Sequence, residues 1–453
     1  MEKENKRYEY RHIARIVVEA ATPIAVGSGA SDVVTDSPVV KDINGLPYIP
    51  GTSLAGVIRH ALELGRREDE TNFFGYHDKD GGRGSRIIFT DAVMIGKDGL
   101  AVDGIRQIDP SDDFYGWYQE LPVRNHVRIN EHGVNDRNGK FDNEVVYMGT
   151  RFVFEIELLS DQENDSWFDK TLAMLYRNTM RIGGGTRCGY GKMKVVSCLR
   201  ADLNLTEASD LAAYIKKPSC LSEEWTAFAE WQPSAADVCD DGWITYTLRL
   251  KPQDFFLFGS GFGDDDADNT PAVERIVEWG DGKPCFSQQR TLVPASSVKG
   301  ALAHRTAYNY NKQNRLFVGN ESACAGDDNP AVAAVFGSAG GDGQSCGSRG
   351  NIIMSDVVGK EKCDKLFFHV KNDYFSGGTI DGALFQEKSV FGRDTIYEEE
   401  ILVRKETLED TCIREALEQS LKDLCSGLLP LGGCVGRGNG FFTGELLKDG
   451  GKI

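Results

Sequence analysis

The sequence predicts an α+β protein built from two tandem copies of one domain, and three observations predict it. Similar segments recur in the same order through both halves of the 453-residue chain, each half alternates strand-like and helix-like patterns, and the copies meet in turn-rich sequence. A repeat on this scale marks a duplicated unit, and the length is about three times the ~150 residues expected of one domain.

Five segment pairs carry the repeat. VVEAATPIAVGSG, ending in Gly27-Ser28-Gly29, is answered by LRLKPQDFFLFGSG, ending at Gly261. IPGTSLAGVIRHAL is answered by VPASSVKGALAHRT, pairing Pro50, Ser53, Gly56 and His60 with Pro294, Ser297, Gly300 and His304. Phe74-Gly75 and Asp91 of the third block match Phe336-Gly337 and Asp356. The block from His126 aligns without a gap with that from His369, pairing Gly139/Gly382, Glu144/Glu387 and Gly149/Gly392. Finally GGGTRCGYG and GGCVGRGNG, ending at Gly191 and Gly440, both read GGxxxxGxG. The expected division is a first domain at 1–200, a linker at 201–240 and a second domain at 241–453.

Within each copy the elements follow from periodicity. Residues 14–18 and 245–250 alternate as half-buried strands, 51–65 and 295–308 suit helices opened by Ser or Thr, 152–158 is a strand and 167–180 a helix. The His126 and His369 blocks read as strand, Gly-containing hairpin and returning strand. This order suits a ferredoxin-like domain, which is also the skeleton of the RNA recognition motif.

Composition excludes other classes. Hydrophobic content of 40% with 26% charged residues supports a real core. The charged opening MEKENKRYEYRH has no apolar signal region and no run approaches ~18 apolar residues, so a cytoplasmic protein without membrane contact is expected. Eleven scattered cysteines without a CxxC make a zinc site or disulfide framework unexpected. The net charge of −18 argues against nucleic acid unless cations are segregated to one surface.

Two motifs point to phosphate all the same. Glycines in GGxxxxGxG let a backbone approach a ligand and present successive N–H groups, so Gly184, Gly185 and Gly433, with Arg187, Lys192 and Arg437, are candidate contacts. The PGTSLAG segment opens a helix with Thr52 or Ser53 as cap, leaving N–H groups to attract phosphate beside Ser53, Arg59, Ser297 and Lys299.

These blocks together resemble the RAMP superfamily, and within it the Cas-seven-type backbone subunits of type III CRISPR effector complexes. Two fused copies are similar to the double-backbone subunits of fused type III variants. The resemblance implies a subunit that holds guide CRISPR RNA, pairs it with complementary target RNA and assembles with other effector subunits. It makes each His-block hairpin a thumb wedged into the guide–target duplex, with His126, Arg128, His369 and Lys371 as RNA contacts and Arg137, in NDRNG, at the place of the family's IDRxTG arginine. It puts the target-cleaving aspartate at Asp36, as base or as ligand of a divalent Mg or Mn ion, and implies a 2′,3′-cyclic phosphate product. In the second copy, counting from Gly-Ser-Gly selects Asp268 and counting back from Pro271 selects Asn269.

Other readings stay open: a backbone subunit that binds guide without cutting, or a free-standing RAMP endoribonuclease using His60 or His126. An enzyme unrelated to nucleic acid would require a compact acid–base cluster, which the sequence does not display.

Overall fold

The computed structural model of the chain describes residues 7–30, 35–62, 67–79, 81–130, 133–239, 242–317, 324–339, 347–361, 364–392 and 395–453. Strand Tyr10–Ala20 forms the middle of the first sheet, antiparallel to Arg151–Ser160 on one side and Met193–Asn204 on the other. Ile87–Phe89 lies beyond Arg151–Ser160, and Ala229–Glu230 beyond Met193–Asn204. The second copy repeats the order, with Trp243–Pro252 between Tyr397–Arg404 and Phe442–Lys448 and with Ile352–Met354 outermost. The chain is thus mixed α and β, with the same strand order in both halves.

Helices cover one face of each sheet. Leu54 and Ile58 of Gly51–Ala61 and Phe168 and Leu172 of Ser166–Met174 pack on Ile16, Val18, Phe154 and Ile156. In the second copy Val298 and Leu302 of Ala295–Asn314 and Leu417 and Leu421 of Thr411–Cys425 pack on Leu248, Leu250, Ile401 and Val403. Asp165 and Asp410 cap the two later helices by accepting from backbone N–H groups of their first turns. The helix expected to end near 308 continues to Asn314 because its last turns are held from inside: Asn309 donates to Ser420 and Asn311 to the Cys324 carbonyl. The one expected to reach 180 stops at Met174, and Arg181 donates back to the Asn178 and Met180 carbonyls as the chain turns.

The other face of the first sheet is covered too, which changes the expected layout. Residues 201–240 are not a free linker. The last strand of the first sheet runs on to Asn204, helix Ala208–Ile215 follows, and Trp225 packs with Ile13, Ala201 and Leu203. Buried Arg15 reaches the Glu223 and Cys220 carbonyls and lies over Phe228, while its partner Glu155 is also bound by Lys217. That cover is why Tyr10–Ala20 and Arg151–Ser160 are buried on both faces through their middles rather than alternating. On the second sheet only part of the corresponding face receives the first copy, where Asn178 and Lys192 both bond Glu400. The first sheet therefore lacks the open face by which an RNA recognition motif stacks bases, and the exposed part of that face on the second sheet carries the charged side chains of Arg249, Lys251, Glu398 and Glu445.

The two copies interlock by two devices. Hairpin Val277–Gly280 with Lys283–Phe286, an insertion of the second copy, reaches into the first core, where Phe286 meets Phe114, Tyr118 and Tyr147. Its Trp279 indole donates to Gly149 O at 2.8 Å and carries the Arg151 guanidinium 4.0 Å above its ring. Gly149 has φ +85°, and a Cβ there would stand 1.9 Å from Val277 O, so the docking requires glycine. In return the first-copy hairpin, Val123–Ile129 with Asn135–Glu144, reaches the second copy. Arg124 binds buried Glu274 and lies 3.8 Å from Asp356, Asn125 donates to Ser260 O, and the Ile129 carbonyl meets His304.

Candidate nucleic-acid interface

In each copy three distant segments converge on the base of the hairpin. The loop after the first strand is closed by a backbone bridge, Gly27 with Val39 and Gly259 with Pro271. Its far end clamps the returning hairpin strand. Asp36 N donates to Asp142 Oδ1 at 2.8 Å, Asp142 N donates to Asp36 Oδ2 at 3.2 Å, and the Thr35 hydroxyl donates to the same Asp142 oxygen at 2.6 Å. The Thr35 hydroxyl and then the Asp36 N–H hold the Asp142 carboxyl below the ordinary aspartate range. Asp36 itself is exposed at the surface.

The second copy repeats this clamp, and the repeat decides its register. Gln386 N donates to Asp268 Oδ2 at 2.8 Å and Asp268 N donates to Gln386 O at 3.0 Å. Lys388 N donates to Asn269 O just as Glu144 N donates to Ser37 O. Asp268 therefore stands where Asp36 does, and Asn269 corresponds to Ser37. The carboxylate of Asp142 becomes the amide of Gln386.

The same contacts correct the ungapped alignment. His126 stacks on its cross-strand partner Phe141 at 4.9 Å and His369 on Phe385 at 4.8 Å. The second hairpin thus carries one more residue on its return, so Glu144 corresponds to Lys388 and not to Glu387. Glu144 accepts from Val39 N, whereas Lys388 pairs with Asp264 and Asp266.

The Gly-rich loops complete the constellation from the other side. His126 Nε2 lies 2.9 Å from the Tyr190 hydroxyl, and burial, then Arg124, push its pKa below the ordinary histidine value. His369 lies 3.2 Å from Glu387, which also binds Arg437 at 3.0 Å. His126 thus ties its hairpin to the Gly-rich loop directly, whereas in the second copy Glu387 makes the tie through Arg437 and Cys434. Gly184 N donates to Ala25 O and Gly433 N to Leu257 O, while Gly191 N and Gly440 N donate to Pro23 O and Phe255 O. These N–H groups join the loop to its own copy, so the expected nest of successive free donors is not formed at Gly184 or Gly433; Gly185 is exposed, packed against the Tyr190 ring.

Several expected phosphate contacts have other partners. The N-caps are Pro50 and Pro294, without a side-chain bond from Thr52 or Ser53, and the first helical N–H groups go to carboxylates: Gly51 N to Asp91 at 2.7 Å and Ala295 N to Asp356 at 2.8 Å. A carboxylate already occupies the positive end of each helix, which leaves Ser53 and Ser297 no anion-attracting terminus. Arg59 pairs with Glu70, Lys192 with Glu400, Arg128 with Asp327 and Arg437 with Glu387. Lys371 is exposed on the second hairpin and Lys299 half-buried on its helix. The Arg137 side chain lies outside the described residues. Arg187 has no described hydrogen-bond partner, its Nε buried. Sequence reasoning passed over Asp142 and Tyr190, because a strand aspartate and a tyrosine inside a Gly-rich motif carry no periodic or spacing signal. Asp91 and Asp356 were paired by the repeat, but their capping role needed the fold.

Among the described residues no three His, Cys, Asp or Glu side chains gather as a metal site. Asp36 and Asp142 supply two carboxylates, the donor set a Mg²⁺ ion uses when substrate phosphate and water complete its shell, so this pair fits the expected divalent ion. No described helix is long and apolar enough to cross a membrane.

Comparison with known proteins agrees with the doubled architecture. An alignment 216 residues long, covering 42% of this chain and 81% of the other, shows 27% identity to the CRISPR system Cms endoribonuclease Csm3 of Methanocaldococcus jannaschii. The RAMP superfamily pattern matches twice, at residues 17–194 and 286–443, one match in each half. Matched in this way over most of its length, the chain belongs to the RAMP superfamily.

Proposed function

We propose that this chain is a double backbone subunit of a type III CRISPR effector complex, holding guide RNA along both copies and cutting paired target RNA at Asp36. One observation carries the reading: in both copies an exposed aspartate, Asp36 or Asp268, is clamped by reciprocal hydrogen bonds to the base of the projecting hairpin. A hairpin that displaces one nucleotide leaves its ribose beside such a carboxylate. Similarity to a CRISPR endoribonuclease supports the same class. The strand order shared by both sheets supports a ferredoxin-like fold for each copy, with the domain boundary after the covering segment that ends near Trp231. Guide RNA, target RNA and other effector subunits are the partners in this reading, and the cytoplasm is its setting.

The chemistry needs positioning and charge management more than a strong catalyst. The 2′-oxygen attacks the adjacent phosphorus as its proton passes to Asp36, the bond to the 5′-oxygen breaks, that oxygen takes a proton from solvent water, and a 2′,3′-cyclic phosphate and a 5′-hydroxyl result. Asp142 holds Asp36 in place and shares its charge with the Thr35 hydroxyl. A divalent ion held by Asp36 and Asp142 would neutralise charge developing on the phosphate. Replacing Asp36 by Ala is the test: target cleavage at the first copy should disappear with guide and target binding near normal, and a single 2′-deoxy at the scissile nucleotide should block cutting equally. Cutting at the wild-type rate in either case leaves a purely structural subunit. Gln386 in place of Asp142 favours a non-cleaving, guide-holding role for the second copy, since an amide neither shares a proton nor binds a cation strongly.

A further inference from the structure

Three first-copy residues meet the second copy at the seam: Arg124 binds Glu274, Asn125 donates to Ser260 O, and the Tyr147 ring takes Phe286 at 4.9 Å. The second copy carries the same three positions on its own far side. The stacked histidines place Phe367 and Phe368 where the first hairpin has Arg124 and Asn125. Phe256 pairs with Val390 as Ile24 bridges Val146, which places Phe391 where the first copy has Tyr147. Each position that reaches the next copy is thus phenylalanine here. Phe255 joins them, its ring 5.0 Å from Phe367 and 5.2 Å from Phe391, and Phe368 and Phe391 are 65% and 39% exposed.

We propose that Phe367, Phe368 and Phe391 form the docking face for a further subunit that is a different protein from this chain and brings an apolar, aromatic-bearing insertion to it. The proposal rests on the assembly reading above for the existence of that subunit, and adds the face it takes and the exclusion of a second copy of this chain. Another copy would have to offer its first half, which lacks both devices of the seam. Lys41 bridges Pro47 as Val273 pairs with Thr291, so residues 43–46 stand where the second half has 275–290 and the docking hairpin. That short turn is closed on itself, Asp42 accepting from Asn44 N and Leu46 N. The socket is acidic in both halves: Glu274 and Asp356, which receive Arg124, are answered by Asp42 and Asp91, and Asp91 is exposed. Setting those carboxylates against Phe367 would desolvate them without a donor, whereas an apolar insertion buries the rings at a gain. Protein is favoured over stacked RNA bases because the matching first-copy positions meet protein. The rings also stand edge to face, Phe255 at 88° to Phe367, with the Lys365 ammonium over both.

Photo-crosslinking from p-benzoylphenylalanine placed at Phe391 of the full chain, in cells that make the rest of its complex, tests this. One adduct should form, and mass spectrometry should find its attached peptide in a different protein, at a segment with aliphatic or aromatic residues. Phe368→Asp, outside both cores, should lower the adduct yield about tenfold with Tm unchanged, and Phe368→Leu should keep it. The purified chain alone should sediment as a monomer. Self-association that Phe368→Asp abolishes, or an adduct of twice the chain's mass, overturns the proposal in favour of a second copy. An adduct removed by ribonuclease assigns the rings to RNA and also overturns it. No adduct from a chain that still copurifies with other subunits overturns the face and leaves the assembly reading; copurification with none overturns both. A Tm lowered by Phe368→Asp in step with the adduct yield reduces the ring to a structural role.

Discussion

Asp36 and Asp142, 106 residues apart in the chain, hold each other by two hydrogen bonds, each through one backbone N–H and one carboxylate oxygen. The pair ties the surface loop to the hairpin, so the aspartate and the element that would displace a nucleotide move as one unit. Asp142→Ala should therefore cut target cleavage at the first copy by at least about tenfold, although Asp142 need not touch RNA, and Asp142→Asn should lose less because its side-chain oxygen still accepts. Quantified cleavage products on a gel check both; a D142A chain as fast as wild type would separate the loop from the chemistry.

The second copy tests the same geometry in reverse. Gln386 occupies the Asp142 position beside Asp268, so with Asp36 replaced by Ala any remaining cleavage should be weak. Adding Gln386→Asp to that background should raise it at the second copy's position. Mapping product ends on a labelled target reads this, and no gain in the double variant would mean that Asp268 is not a reaction centre.

Arg124 is the electrostatic bolt between the copies. Its side chain is 13% exposed, between Glu274 and Asp356 at 1% and 2%. Arg124→Ala strands two buried carboxylates and should cost about 3–5 kcal/mol, turning a single calorimetric transition into two as the copies melt separately. Lys192→Glu should act in the same direction through Glu400, more weakly because that pair is partly exposed. One unshifted transition in R124A would refute the bolt.

Glu399 sits where the first copy has Phe154: Leu248 faces Glu399 across the strands as Ile16 faces Phe154. It is 2% exposed, and neither carboxylate oxygen has a described hydrogen-bond partner. Burial, then Asp356, hold its pKa well above the ordinary glutamate value, and burial raises Glu274 to about 7. An acid raised on folding leaves stability intact below its unfolded value and removes it as pH climbs toward the folded value. The chain should thus melt lower at pH 8 than at pH 5.5. Glu399→Ile should raise stability at pH 7.5 by about 2 kcal/mol, several degrees in Tm, and flatten the pH dependence. Thermal melts at both pH values decide it, and a destabilised E399I chain would show that the carboxylate has a partner.

The sequence by itself determined the duplication, the order of strands and helices within each copy and the segments that meet at the site. Local patterns carry this information: alternation makes strands, and turn glycines such as Gly191 and Gly440 permit conformations and backbone approaches that a Cβ forbids. Only the tertiary structure decided what each polar group does. Which acceptor a donor finds depends on chain segments that sequence spacing does not bring together, and so Asp91 took the helix N–H meant for phosphate, Lys192 went to Glu400, and residues 217–231 covered the first sheet. The one-residue slip of the second hairpin was invisible for the same reason. An ungapped alignment matches residue types, whereas cross-strand register is set by backbone hydrogen bonds and by the stacking of His369 on Phe385.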